Sequence, residues 1–228
     1  MSYQRFRPSF SSRMPPGVLN IIIINVIIFI AKFFAMSKMI DLELLFGLYH
    51  PFSPDFHFYQ YITSIFMHAN FSHLLFNMFG LWIFGAMLEN VYGTKRFLIF
   101  YLVCGIGASI IYQVWGSVIQ YNHYQTAAGF IDTLKTYPPL GYLIGASGAV
   151  YGVLMGAALL FPNSEMYMLF LPIPMKLKWL AVFYGGAELY NSWHLAPGDN
   201  VAHFAHVGGM IFGFILVKIY SRSKTHFY

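Results

Sequence analysis

Apolar runs too long for a soluble core govern this chain. Residues 18–35 read "VLNIIIINVIIFIAKFFA", with Lys32 as the one charge. A stretch of about 18 apolar residues crosses a bilayer as a helix, because about 20 residues at 1.5 Å each cover the hydrocarbon thickness. Five further runs follow, over about 71–90, 96–116, 141–161, 177–195 and 201–220, the fifth of the six being interrupted by Gly185, Gly186 and Glu188. Overall, 58% of the 228 residues are hydrophobic and 9% charged, against roughly 25% charged in a soluble domain. The pattern predicts an all-α fold, a polytopic membrane protein with a bundle of six transmembrane helices. A tail over 1–17, a membrane domain over 18–220 and a tail over 221–228 divide the chain.

Charge sets orientation. The net charge of +5 is dispersed at the ends of apolar runs, which speaks for membrane orientation and against nucleic acid as a partner. With the N-terminus cytoplasmic, the cytoplasmic segments hold Arg5, Arg7, Arg13, Lys95, Arg96, Lys176, Lys178, Lys218, Arg222 and Lys224, ten of the thirteen Lys and Arg. Lys32, Lys38 and Lys135 fall toward the other side. Both termini are therefore expected in the cytoplasm. The first run follows basic residues as a signal peptide would, but it offers no A-x-A cleavage site and reads as a retained helix. The single Cys104 excludes an intrachain disulfide. Residues 37–70, rich in aromatics, His and Pro, are expected in or on the membrane interface, and 117–140 form a second loop.

Polar residues inside spans are costly, and they mark bundle interiors or wet cavities. Three clusters stand out. "HANFSHLLFN" (68–77) places His73 and Asn77 four apart on one helical face. "GASGAVYG" (145–152) holds Ser147 beside a stripe of Gly141, Gly145, Gly148, Gly152 and Gly156, with Tyr151 one turn below. "AHFAHVGGMIFG" (202–213) places His206, Gly209 and Gly213 on one face, with a G-x-x-x-G association signature. Bland readings exist for each: interhelical hydrogen bonds for the first, small-residue packing for the second, a histidine bonded to a backbone carbonyl for the third. His203 and His206 could ligate a metal, but no third Cys, Asp or Glu ligand stands near them in the spans, so no metal is expected.

Depth favours a site. In the six-span topology, Asn77, Ser147 and His206 each lie roughly 9 Å below the outer surface. Close approach of the glycine faces of the fourth and sixth spans brings Ser147 Oγ within reach of a His206 ring nitrogen. A serine is a weak nucleophile until a base takes its proton. No acidic residue is expected at this depth, since Asp199 lies above it and Glu89 at the cytoplasmic end of the second span. A Ser–His dyad is therefore expected rather than a triad, with Tyr151 stacking on the imidazole. Asn77, His73 and the Ser147 N–H supply oxyanion donors.

With these motifs in this order, together with "LENVYGTKRFLIFY" after the second span and "AHVGG" in the sixth, the chain resembles the rhomboid family of intramembrane serine proteases from about residue 60 to 215. The resemblance implies Ser147 as nucleophile, His206 as base, an oxyanion hole of His73, Asn77 and the Ser147 amide, and Tyr151 packed on the histidine. Gly145, Gly148, Gly209 and Gly213 would support that site, and Glu89 would stabilise the cytoplasmic side. It implies no metal, nucleotide or other cofactor, and a minimal six-helix form. The Trp-Arg pair that seats the first loop in some bacterial members is missing from 37–70.

The activity so implied is serine endopeptidase cleavage in or near the transmembrane segments of other membrane proteins, which with the lipid bilayer are the expected partners. Substrate would pass in laterally beside the fifth span and its "NSWHLAPGDN" connection. The expected location is the plasma membrane, multi-pass, with the active site opening to the outer face. The alternatives are a catalytically silent binder of transmembrane clients and a small transporter using the histidines.

Overall fold

Proline opens the first helix: Pro16 presets the helical φ and lacks an N–H that would go unpaired there anyway. In the computed structural model, which describes residues 14–124, 141–168, 171–194 and 202–222, this helix, α1, runs Pro16–Met36. Most of the 117–140 loop, the connection at 195–201, and most of both tails lie outside the described residues. Arg5, Arg7, Arg13, Lys135, Pro197, Gly198, Asp199 and Lys224 lie there too.

Short helices α2 (Leu42–Phe46) and α3 (Gln60–Thr63) follow. Helix α4 spans Phe71–Tyr92. Asn70 caps its start, its side-chain oxygen accepting from His73 N at 2.8 Å. Gly93, at φ 75°, ends it by taking a left-handed conformation. Then come α5 (Thr94–Tyr124), α6 (Ser147–Leu160), α7 (Leu177–Trp193) and α8 (His203–Arg222). The six long apolar runs thus form α1, α4, α5, α6, α7 and α8 of an all-α polytopic bundle. Of the described helices, α1, α4, α5 and α8 are long and apolar enough to cross a membrane.

One span boundary and one expected interruption need correcting. Helix α6 has 14 residues, so it rises only about 21 Å, well short of the 141–161 span. Residues 141–146 lead into it as non-helical backbone, with Gly141 at φ 57° and Gly145 at φ 125°. Irregular backbone is tolerated at membrane depth only where other protein satisfies it or water reaches it. Here the loop between α1 and α4 does so: Leu48 and Leu143 exchange N–H to O bonds of 2.9 Å, and Gly145 N donates to Ser64 O at 2.9 Å. The fifth span, in turn, is not interrupted. Gly185, Gly186 and Glu188 all lie inside the continuous helix α7, because Glu188 is turned inward and buried at 7% exposure.

An antiparallel hairpin, β1 (Glu165–Met168) with β2 (Leu171–Lys176), joins α6 to α7. It went unforeseen, since Pro172 and Pro174 argue against a central strand. A two-stranded ribbon can place prolines where no ladder donor is needed.

Helix α6 is the axis of the bundle and meets α8 at van der Waals closeness. A Cβ added at Gly209 would collide with Gly148 O, and one at Gly213 with Gly152 O. Only glycine at both positions lets the backbones approach this far. Helix α1 presents Ile23, Ile27, Ile30, Phe33 and Phe34 outward, as a lipid-facing helix does.

The 37–70 segment is seated without a Trp-Arg pair. Lys32 of α1 forms an ion pair with Glu43 and donates to Ala69 O at 2.7 Å and His68 O at 3.1 Å. Tyr142 OH donates to Glu43 Oε2 at 3.0 Å. Fully buried Gln60 ties the loop to itself, accepting from His57 N at 3.0 Å and donating to Asp55 O at 2.9 Å. Gln113 of α5 donates to Tyr49 O at 2.9 Å.

Glu89 joins three helices at the end of α4. Its carboxylate accepts from Gly17 N at 2.8 Å, Val18 N at 2.7 Å and Thr94 Oγ1 at 2.7 Å. Helix α1 has no capping side chain of its own. A buried carboxylate from α4 supplies the cap and complements the helix dipole.

Candidate active site

The starts of α4, α6 and α8 converge. Ser147 is the first residue of α6, and His203 and His206 lie in the first turn of α8. Ser147 Oγ and His206 Nε2 are 2.7 Å apart, a strong hydrogen-bond distance for two groups 59 positions apart in sequence. The glycine contact between α6 and α8 sets this spacing. Tyr151, one turn into α6, stacks on His206 with ring centroids 4.2 Å apart and planes 5° from parallel.

His73 approaches from α4. A Cβ added at Gly145 would lie 2.8 Å from His73 Nε2 and 3.7 Å from Ser147 Oγ. The His73 ring and the serine hydroxyl therefore border one small volume, which Gly145 leaves open. Asn77, one turn further along α4, is buried, and its Nδ2 donates to His73 O at 2.9 Å. That uses one of its two amide hydrogens, leaving the other to offer. Ser147 and His73 are half-buried, whereas His206 is 7% exposed. The hydroxyl thus faces the approachable side of the site and the imidazole its interior. Gly148, Gly209 and Gly213 lie in the α6–α8 contact, while Glu89 belongs to the α1–α4–α5 junction rather than to this cluster.

An acidic residue does stand beside the imidazole, contrary to the expectation that none reaches this depth. Glu188 of α7 places Oε2 2.5 Å from His203 Nδ1 and 3.0 Å from His206 Nδ1. Its Oε1 accepts from Tyr151 OH. Sequence alone hides this residue for a specific reason. Gly185, Gly186 and Glu188 read together as a break in the fifth span, whereas the glutamate marks the inward face of an intact helix. The signal was available: an acidic residue in an apolar run requires a partner, and His203 of "AHFAH" had no role assigned.

The same residue removes the ground on which a metal was set aside, since ligand atoms of Glu188, His203 and His206 all lie within 4.8 Å of one another. Their spacing nevertheless suits protons better. Carboxylate–imidazole distances of 2.5 and 3.0 Å are those of hydrogen-bonded or ion-paired groups. Two ligands on a tetrahedral zinc, at about 2.0 Å each, stand about 3.3 Å apart.

A polytopic helical bundle with a serine hydroxyl and an imidazole joined where three helices begin is the class these features define. Comparison with known proteins gives the family: residues 55–223 match the Rhomboid domain model. This chain belongs to the Rhomboid family. It is 29% identical over 215 residues to Rhomboid-like protein 11, chloroplastic, of Arabidopsis thaliana, covering 90% of this chain and 66% of that one. It is likewise 29% identical over 150 residues to RHOMBOID-like protein 12, mitochondrial, of the same plant, covering 65% and 42% respectively. Rhomboid protease GlpG of Salmonella paratyphi A is 25% identical over 227 residues, covering 96% of this chain and 69% of that one. The chain thus spans less than two thirds of the length of the two plant relatives.

Proposed function

We propose that this chain is an intramembrane serine endopeptidase that cleaves peptide bonds in or near the transmembrane helices of other membrane proteins. The observation that carries this reading is the 2.7 Å contact between Ser147 Oγ and His206 Nε2. It occurs in a chain whose relatives include one named as a rhomboid protease.

In this reading His206 Nε2 takes the proton of Ser147 as Oγ bonds to the scissile carbonyl carbon. The resulting oxyanion is met by the Ser147 N–H at the start of α6, the second Asn77 amide hydrogen and the His73 ring. Each such donor is commonly worth about 3 kcal/mol. His206 then hands the proton to the departing amide nitrogen, the C–N bond breaks, and an acyl-enzyme remains. A water, deprotonated by His206, attacks the ester carbon and releases Ser147 with its proton restored. Tyr151 keeps the ring in plane throughout. A substrate helix must unwind before its carbonyl can reach Oγ, so helix-weakening residues near the cleavage point favour turnover. Half-buried Ser147 and His73 mark the side from which the segment arrives.

The membrane domain over 18–220 is flanked by tails at 1–17 and 221–228. Ten of thirteen basic residues fall on one side of the six-span arrangement, which supports cytoplasmic termini and a site opening to the outer face, the membrane being read as the plasma membrane. The test is co-expression with a panel of tagged single-span proteins. Cleavage products are expected with the parent and absent with Ser147→Ala. Identical product patterns from both would overturn the reading.

A further inference from the structure

The family chemistry needs only serine and histidine, yet this chain buries a carboxylate on the far side of the imidazole. We propose that Glu188 is a positioning residue for His206: a carboxylate fixed by His203 and Tyr151 that sets the ring's tautomer and compensates its charge in the transition state. The inference rests on the proposed role of Ser147 and His206.

The geometry leads there stepwise. Glu188 is 7% exposed, and a buried carboxylate requires partners. Two hold it firmly: Tyr151 OH donates to Oε1, and His203 Nδ1 lies 2.5 Å from Oε2. Because a carboxylate only accepts, His203 must present its Nδ1–H. The third neighbour, His206 Nδ1, lies 3.0 Å from Oε2 without completing a hydrogen bond in this resting arrangement. That nitrogen is buried with no other partner among the described residues. A proton is far better placed on Nδ1, facing a carboxylate, than on Nε2, facing a hydroxyl. With Nδ1 protonated, Nε2 is free to accept from Ser147 O–H, as a general base must. Catalytic hydrogen bonds are often loose at rest and tighten when charge develops. Imidazolium formation is the event that draws His206 onto Glu188.

This arrangement also assigns His203 and Tyr151. His203 anchors the carboxylate, while Tyr151 touches both partners, stacking on His206 and donating to Glu188. Because Glu188 rides on α7 and its partners on α6 and α8, alignment of the imidazole requires α7 to be docked. The groups facing His206 are His73 from α4, Ser147 and Tyr151 from α6, Glu188 from α7 and His203 from α8. Tyr184 of α7 stands beyond Tyr151, its ring centroid 6.2 Å away.

The test is the rate of fluorophosphonate labelling of the full chain in detergent micelles between pH 5 and 9, with folded fraction measured in parallel. Glu188→Gln is expected to slow labelling per folded molecule on the order of 10- to 100-fold. That is less than loss of the triad acid in a soluble serine protease, since Tyr151 still holds the ring. It is also expected to move the acid limb of the profile down by about one pH unit or more, because an imidazole without its carboxylate loses its proton more readily. Glu188→Asp keeps the charge about 1.5 Å further back and should place the limb between the two. It carries the test alone if Glu188→Gln does not fold. A parental rate, or a rate reduced with the limb unmoved, overturns the inference and leaves the serine reading intact. A parent that does not label overturns both.

Discussion

Tyr151 and His206 lie ring upon ring, centroids 4.2 Å apart and planes 5° from parallel, and the same tyrosine donates its hydroxyl to Glu188. One side chain thereby holds the imidazole by its face and the carboxylate behind it by a hydrogen bond. Tyr151→Phe keeps the ring and removes the donor, whereas Tyr151→Ala removes both. Labelling by a serine probe should fall only a few-fold in the first and on the order of 100-fold or more in the second. Positioning of a reacting group by even 1 Å is worth that much. Equal rates in the two variants would place the effect in the hydroxyl rather than in the stacking.

The α6–α8 contact makes a stability prediction. Gly209→Ala directs a methyl group onto Gly148 O, so the helices must separate. A loss of about 1–3 kcal/mol is expected, the range for overpacking, together with slower probe labelling because Ser147 and His206 move apart. Denaturant titration and labelling of the same preparation check both parts. Gly186→Ala is the control: nothing lies within 4 Å of a Cβ there, and stability should not fall.

Glu89 lies away from the Ser147 cluster and should act on stability alone. Glu89→Gln leaves the buried amides of Gly17 and Val18 to one neutral oxygen in place of two charged ones, at a cost of about 1–3 kcal/mol. Thermal unfolding in micelles should show the loss. Labelling per folded molecule should match the parent, and a selective loss of labelling would contradict the placement.

His68 gives the loop before α4 a pH dependence. It is 1% exposed, and burial, with the neighbouring His73 ring, lowers its pKa to about 3. An unfolded chain would titrate it near 6.5. The folded state thus binds fewer protons than the unfolded state between those values. This contribution to stability is whole above about pH 6.5 and is lost as pH falls toward 3, at no more than about 1.4 kcal/mol per pH unit. His68→Gln should be less stable at neutral pH yet lose less on acidification. Unfolding midpoints from pH 7.5 to 4 test this, and parallel curves for parent and variant would contradict it.

Much of the bundle was legible because lipid imposes a simple demand, about 20 apolar residues per crossing, and four of the described helices, α1, α4, α5 and α8, meet it. The proximity of Ser147 and His206 was legible too, since Gly148, Gly152, Gly209 and Gly213 announced one tight helix pair and the polar residues sat at the same end of it. What escaped was set by three-dimensional partners. Gly145 reads as part of a helical stripe, but its φ of 125° comes from pairing with Ser64, 81 positions earlier. Glu188 reads as a defect in an apolar run until His203 and Tyr151 are seen around it. The seating of 37–70 depends on Lys32, Glu43 and Tyr142, which no local pattern connects.

The most direct measurement is mass-spectrometric mapping of a fluorophosphonate adduct on the folded protein at pH 7.5. The account predicts a single adduct on Ser147 in the parent and, at the same exposure, a yield about a thousandfold lower in His206→Ala. An adduct on another serine, or undiminished modification of Ser147 without His206, would contradict it.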